Sequence, residues 1–225
     1  MSKTVLITGA TGNLGTAVCK ILTEAGYKVY GTSLPDSGET SSYAEIIETD
    51  LTSKESTNRL VDQITQNGQQ LYCLICLAGG FGMNNIKNTS AADILHYYNL
   101  NLITTINAVQ SAWKSLQVSG AGKIIMIGAK PAVEGGAFDV LPYALSKGSV
   151  IQLANILNEK TKETGISTSV IVPSIIDTPI NRKGMPNANY KDWVKPEDIA
   201  NQIAHLLAGK SNALRNTLLK MYGNS

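Results

Sequence analysis

Val5-Leu6-Ile7-Thr8-Gly9-Ala10-Thr11-Gly12-Asn13-Leu14-Gly15 decides the fold. The run up to Thr8 reads as a buried strand, and the segment from Asn13 to Glu24 reads as a helix stopped by Gly26. Between them lies a turn built on three glycines. Gly9 permits the tight reversal, Gly12 lets backbone approach a pyrophosphate, and Gly15 lets the helix pack on the sheet. Free N–H groups and the partial positive charge at the helix start suit phosphate oxygens. Thr11, Asn13 and Leu14 complete the same predicted dinucleotide site. No Gly-Lys-Ser/Thr follows, which disfavours a P-loop. A glycine-rich turn without a ligand is the alternative.

Outward from that segment, short apolar runs alternate with segments of helical period. Strands are expected at Thr4–Thr8, Lys28–Ser33, Ile46–Thr49, Tyr72–Leu77, Lys123–Ile127, Thr168–Val172 and Thr217–Tyr222. They are nearly continuous in apolar residues, as parallel strands covered on both faces are. Thr52-Ser53-Lys54-Glu55 reads as a capping box opening a helix to Gln66. Ser90-Ala91-Ala92-Asp93 opens a long helix through Leu116, and another runs from Pro142 to Thr164. Pro196-Glu197-Asp198 starts the last, to Leu207, with Gly209 as its stop. This alternation predicts an α/β fold: a three-layer, doubly wound parallel sheet (a Rossmann fold) in a single domain over residues 1–225. Two loops, 79–89 and 173–195, follow the carboxyl ends of strands, where open α/β sheets bind ligands; the second is long enough for a lid or binding loop.

The composition agrees. The 225 residues are 43% hydrophobic with a formal net charge of +2, so a large core is available. The basic residues are scattered, which excludes a nucleic-acid stripe, and no apolar run is long enough to span a bilayer. Met1-Ser2-Lys3-Thr4 leads straight into a strand, leaving no room for a signal peptide, and the three cysteines are few and odd in number; both point to the cytoplasm. Cys73 and Cys76 have C-x-x-C spacing, but residues three apart on a strand face opposite ways, so they read as core thiols. No metal site is expected.

The adenosine half of a dinucleotide should lie over the ends of the second and third strands. An acid there would bind the ribose 2′-OH and favour NAD. The position holds Ser33, in Tyr30-Gly31-Thr32-Ser33-Leu34: no acid would repel a 2′-phosphate and two hydroxyls could bind one, although Asp36 could swing in. The expected cofactor is therefore NADP or NAD, with NADP slightly favoured. Asp50 is a plausible acceptor for the adenine amino group, or else a capping acid. Further along, Tyr143-Ala144-Leu145-Ser146-Lys147 places Tyr and Lys at i and i+4, on one helix face. A free phenol has a pKa near about 10. A nearby ammonium would lower it, so Tyr143 could deliver a proton to a substrate as hydride arrives, with Lys147 also holding ribose hydroxyls.

With these segments in place, the chain resembles the short-chain dehydrogenase/reductase family along its whole length. The glycine turn, Asp50-Leu51, Ala78-Gly79, Asn101, Tyr143 with Lys147, and Pro173 with Thr178 carry the likeness. Within the family it looks most like the dihydropteridine reductases. That match rests on Cys76–Gly82, Gly128–Ala132, Tyr143–Gly148 and Val172–Lys183, the last continuing to Trp193. The resemblance implies reduction of quinonoid dihydropterin to tetrahydropterin. It implies Tyr143, Lys147 and Asn101 as catalytic residues, Asn101 by holding a water in a proton relay. The cofactor would meet Gly9, Thr11, Gly12, Asn13, Leu14, Gly15, Ser33, Asp50, Leu51, Ala78, Gly79, Gly80, Tyr143, Lys147, Pro173, Ile176 and Thr178. Phe81, Ala129 and Asn181 would meet the substrate.

Ala129 stands where most members place a serine, which suits an electron-poor quinonoid ring. Three positions depart from dihydropteridine reductases, which have Trp at Phe81, Asp at Ser33 and usually no Asn at Asn101. A small-molecule substrate and a homodimer paired through the two long helices are implied, with no nucleic-acid or membrane partner. A short-chain reductase of another small carbonyl compound and a non-catalytic dinucleotide sensor are the competing readings.

Overall fold

The computed structural model describes residues 2–208, 214 and 216–225. Among them, seven strands form one parallel sheet: β1 (Thr4–Thr8), β2 (Lys28–Ser33), β3 (Glu45–Glu48), β4 (Leu71–Cys76), β5 (Lys123–Ile127), β6 (Ser167–Pro173) and β7 (Thr217–Met221). Their spatial order is β3-β2-β1-β4-β5-β6-β7. The chain winds outward from β1 to β3, then returns to lay β4 on the other side of β1. The carboxyl ends of β1 and β4 thus flank a topological switch point, where the two connections leave in opposite directions and open a crevice.

The helices are α1 (Asn13–Glu24), α2 (Lys54–Thr65), α3 (Ala91–Tyr97), α4 (Thr104–Val118), α5 (Leu141–Asn158), α6 (Thr161–Thr164), α7 (Pro179–Gly184) and α8 (Pro196–Leu207). Strand alternation divides the core in two. Val5 and Ile7 pack with Val18 and Leu22 of α1 and with Ile199 and Ile203 of α8. Leu6, between them, packs on the opposite face with Leu60 of α2, Val109 and Leu116 of α4 and Val150 of α5. Each such buried aliphatic side chain contributes about 1.5–3 kcal/mol relative to exposure. Cys73 belongs to the first cluster and Cys76 to the second, and both thiols are free and buried. The C-x-x-C spacing is therefore core packing, as the strand geometry requires.

The expected strands are all present, with ends shifted by at most one residue. The helix ends needed more correction. Ser53, not Thr52, caps α2: its Oγ accepts from Ser56 N at 3.2 Å, while Thr52 Oγ1 is drawn away to Asp50 Oδ1 at 2.6 Å. The box at Ser90 forms as expected, with Asp93 N donating to Ser90 Oγ and Ser90 N to Asp93 Oδ2. The helix it opens is not uniform, however. Residues Tyr98–Ile103 make a wider, π-helical turn between α3 and α4. The helix expected to run from Pro142 to Thr164 stops at Asn158. The Asn158 side chain bridges to β6, donating to Thr168 O at 2.8 Å and accepting from Thr168 N at 2.9 Å. The short α6 follows and closes on Gly165 in the left-handed region, φ 70°. α8 ends at Leu207, and the expected stop Gly209 lies outside the described residues, as does Met1. Among the described residues no helix is long and apolar enough to cross a membrane.

Candidate active site

The glycine turn sits at the switch point and is stitched to both neighbouring strands. Gly9 adopts φ 66°, a conformation that side chains resist. Its N–H donates to Thr32 Oγ1 at 3.1 Å, and Ala10 N donates to Thr32 O at 3.0 Å, which fixes the turn against the end of β2. On the other side Thr8 Oγ1 accepts from Leu77 N at 3.1 Å and Ala78 N at 3.2 Å. A Cβ on Gly9 would come within 2.9 Å of Ala78 N, and one on Gly15 would run into Gly9 O. Packing thus accounts for Gly9 and Gly15. It does not account for Gly12, whose added Cβ would meet nothing nearer than Gly9 O at 3.4 Å. The bare backbone at Gly12 faces open space, as close approach to a ligand demands. Gly12 is also the N-cap of α1, with no side chain capping it and no acid in the first turn. Amide donors at that end are left for an anion. Asn13 and Thr11 lie at this rim, and Leu14 turns inward to pack on the core.

The adenosine end shows a second vacancy in the bonding. Ser33 is only 5% exposed, yet its Oγ has no hydrogen-bond partner. Asp50 follows β3 and is exposed; its Oδ1 accepts from Thr52 N at 2.9 Å as well as from the Thr52 hydroxyl, and these bonds hold the carboxyl below its ordinary range. Asp50 therefore makes the turn before α2 while keeping its second oxygen. Leu51 is buried, and its carbonyl accepts from Asn107 Nδ2 at 3.0 Å. An acid that residue-by-residue reading of the strand end did not find is Glu39, to whose Oε2 Thr11 Oγ1 donates at 2.5 Å. The uncapped α1, the open face of Gly12 and the unpartnered Ser33 hydroxyl together fit a dinucleotide.

At the centre of the crevice, the π-helical turn delivers Asn101 to a buried junction. Asn101 Oδ1 accepts from Gly80 N at 2.9 Å; its Nδ2 donates to Gly80 O at 3.2 Å and to Ser146 Oγ at 3.0 Å. Ser146 Oγ donates in turn to Tyr143 O at 2.8 Å. Asn101 thereby ties the loop after β4 to the helix that carries Tyr143 and Lys147. Gly79 is obligatory here, because a Cβ would strike Asn101 Oδ1. Lys147 is buried and its Nζ donates to Ile127 O at 3.0 Å. The exposed Phe81 ring meets Tyr143 edge-on, with centroids 5.0 Å apart and planes at 77°. Ala129 lies buried at the end of β5 and supplies no hydroxyl.

The charge states differ from the expected pattern. Burial pushes Tyr143 up to about 12 rather than down. Burial also pushes Lys147 down to about 8, so its ammonium is held less firmly than in water. In the ligand-free chain the Tyr143 phenol is thus firmly protonated, and the ammonium does not depress it.

The loop after β6 closes the other wall. Pro173 ends β6, and the two ends of the loop are zipped together by Asp177 N to Val194 O and Val194 N to Ile175 O, at 2.8 and 2.9 Å. Thr178 caps α7, its Oγ1 accepting from Asn181 N at 3.3 Å. Asn181, expected at the substrate, instead directs its amide to Ile176 O at 2.8 Å, so it shapes the loop. Asp177 takes both Arg182 Nε and NH2, at 2.6 and 2.7 Å, and the guanidinium lies over Tyr190. Between this loop and α1 lies a cleft of about 690 Å³, bordered by Thr11, Asn13, Thr178 and Arg182. The final residues also reach the site wall. Lys130 Nζ donates to Ser225 O at 2.8 Å, and Ser174 Oγ to Tyr222 O at 2.7 Å. Sequence reading gave no role to Thr8, Lys130 or Ser146, which lie inside segments it singled out, and it missed Glu39 altogether.

Comparison with known proteins matches residues 3–189 to the model of the family described as short chain dehydrogenase. The chain is 26% identical to the 3-oxoacyl-[acyl-carrier-protein] reductase FabG of Buchnera aphidicola subsp. Acyrthosiphon pisum, over 98% of this chain and 96% of that one. It is also 26% identical to an acetoacetyl-CoA reductase of Synechocystis, over 92% of this chain and 88% of that one. Among solved structures, ElxO with NADP bound superposes with a TM-score of 0.90 at 24% identity, covering 99% of this chain and 98% of that one.

Proposed function

We propose, from the premise that the chain belongs to the short-chain dehydrogenase family and is therefore an NAD(P)-dependent oxidoreductase, that it reduces a flat, electron-poor ring of the quinonoid dihydropterin type. The observation that carries this reading is the pairing of Phe81 with Tyr143 across a site where Ala129 replaces a hydroxyl. A half-exposed aromatic edge beside a proton donor suits stacking on a planar ring. The lack of a hydroxyl at Ala129 suits a substrate that is already polarised.

A bound reduced nicotinamide supplies the hydride. Every other part is assigned to the chain. The Gly12–Gly15 end of α1 would hold the pyrophosphate, and the strand end at Ser33 the adenosine ribose. Asp50 and Leu51 would serve the adenine, Ala78, Gly79 and Gly80 the crevice floor, and Pro173, Ile176 and Thr178 the nicotinamide half. Lys147 holds the nearby ribose, and Tyr143 donates the proton from its hydroxyl. Burial keeps that phenol protonated but makes it a weaker acid, so the positive charge of an oxidised nicotinamide would be needed to bring it down towards the working pH. Asn101 keeps the two walls in register, and the π-helical turn that carries it is closed by side chains, with Thr104 Oγ1 donating to Leu100 O and Thr105 Oγ1 to Asn101 O, each at 2.8 Å. The homodimer belongs to the same reading: Leu145 and Ile156 of α5 and Val118 of α4 are exposed apolar residues that a partner's helices would cover.

Purified protein assayed with quinonoid dihydropterin and each of NADH and NADPH tests the substrate. Turnover with either cofactor supports it. No turnover with the pterin, but turnover with a small 3-oxo thioester, moves the chain to the second reading, reduction of another carbonyl compound.

A further inference from the structure

The loop between β2 and β3 is built around carboxylates. Glu48 at the end of β3 accepts from Asp36 N at 3.0 Å and from Gly38 N at 2.8 Å, through its two oxygens. Asp36 and Gly38 both take positive φ, 57° and 63°, so the loop turns sharply. That turn brings Glu39 back across the crevice to the Thr11 hydroxyl. Thr11 follows Ala10, whose N–H is bonded to Thr32 O, one residue before Ser33. Glu39, Thr11 and Ser33 therefore converge on the carboxyl end of β2. Of the three, Ser33 offers a buried hydroxyl with nothing to bond, and Glu39 offers a carboxylate on an exposed side chain.

We propose that Glu39 selects the unphosphorylated adenosine ribose, so that the chain takes NAD(H) in preference to NADP(H); this rests on the dinucleotide reading of the crevice above. A carboxylate accepts hydrogen bonds only, and the hydroxyls of a ribose donate them. Charge-assisted bonds of that kind are about twice as strong as neutral ones. A 2′-phosphate offers the opposite chemistry. It carries a charge of about −1.5 to −2 near neutral pH and has oxygens that accept. At the end of β2 it would face the Glu39 carboxylate, and the segment that follows Ser33, Leu34-Pro35-Asp36-Ser37-Gly38, brings a second acid and no arginine or lysine. The sequence-level expectation of NADP came from the absence of an acid at Ser33. Glu39 supplies that acid from six residues further on, over the top of the glycine turn.

Equilibrium binding of NADH and NADPH to the full chain, followed by nicotinamide fluorescence, tests this without any substrate. The wild-type chain is expected to bind NADH at least tenfold more tightly than NADPH. Glu39→Gln, which keeps the shape and removes the charge, is expected to bring the two affinities within threefold, chiefly by tightening NADPH. An unfolding midpoint within a few degrees of wild type certifies that the variant is folded. Equal or tighter binding of NADPH by the wild-type chain overturns the proposal, as does a ratio unmoved by Glu39→Gln. Binding of neither dinucleotide instead overturns the reading of the crevice itself.

Discussion

Replacing Asn101 by alanine should cost the fold several kcal/mol and cost the crevice its geometry. The Asn101 side chain is fully buried and makes three hydrogen bonds, to Gly80 N, Gly80 O and Ser146 Oγ. Each such bond contributes a net ~0.5–1.5 kcal/mol, and a buried group left without its partner costs ~1–3 kcal/mol. The loss of all three therefore amounts to ~2–5 kcal/mol, moderated where water enters the space. Whole domains of this kind carry only ~5–15 kcal/mol of stability. Urea unfolding, read as a midpoint at unchanged slope, measures the loss. Dinucleotide binding by the folded fraction should weaken in parallel, because the loop at Gly80 is no longer held to α5. Asn101→Asp keeps an acceptor for Gly80 N but sets a buried carboxylate against Gly80 O, so at neutral pH it should destabilise the fold at least as much as Asn101→Ala. A loss under ~1 kcal/mol for Asn101→Ala, with binding unchanged, would refute the view that this one side chain couples the two walls.

Three further outcomes follow from the same geometry. Tyr143→Phe should lower kcat by more than about tenfold, the scale of lost general acid catalysis, while leaving dinucleotide affinity near wild type; an unchanged kcat rejects Tyr143 as the donor. Lys147→Met should change how stability depends on pH. The folded-state pKa of Lys147 is depressed from 10.5 to about 8, so between those values the unfolded chain holds a proton that the folded chain has lost, and stability rises with pH. The wild-type advantage over Lys147→Met should therefore grow by about 3 kcal/mol across that window and stay flat below it; a constant difference in paired urea titrations contradicts the burial of an ammonium there. Gly15→Ala would drive a Cβ into Gly9 O and to 2.7 Å from Ala10 Cα, both backbone contacts that no rotamer relieves. Weak dinucleotide binding and a lowered unfolding midpoint are expected together, and a variant that binds as wild type shows that α1 can shift away from the turn at no cost.

The sheet was legible because its signal is local. Val5, Leu6 and Ile7 are apolar without interruption, and the structure buries alternate members against different helix layers. The glycine turn was legible for the same reason: its three glycines and the strand and helix they join lie close together in the chain, although the bonds to Thr32 that fix it do not. The helix ends were less so. Thr52 and Ser53 are both capping residues, and the choice between them was made by Asp50, which takes the Thr52 hydroxyl. The π-helical turn at Tyr98–Ile103 leaves no mark in hydrophobic period, because one extra residue in a six-residue stretch shifts the pattern too little to detect. Asn181 illustrates a different limit. Its place in a family-like run says nothing of which way its amide turns, and the nearest carbonyl, Ile176 O, claimed it. Glu39 was invisible because its contact with Thr11 spans 28 residues and depends on two positive-φ residues between β2 and β3.

The charge of the site is where sequence and structure part most sharply. Placing Tyr143 and Lys147 at i and i+4 suggests a phenol softened by its neighbour, yet burial raises the phenol and weakens the ammonium. The ligand-free chain is arranged in position without yet being arranged in charge. Its other unmet needs fall in the same crevice: α1 begins with no capping side chain, and Ser33 Oγ has no partner. Two other buried side-chain atoms among the described residues share that condition: Gln69 Nε2, just before β4, and Thr168 Oγ1, near the start of β6; neither is at the carboxyl end of the sheet. One anionic ligand lying across the ends of β1 and β2 would meet the first needs at once. Such a ligand binds the folded state alone, so it must also raise stability, by ~2.7 kcal/mol at a hundred times its dissociation constant. The chain therefore reports its own cofactor through its melting temperature, and a dinucleotide that leaves that temperature unmoved at saturation is not the one for which these vacancies were left.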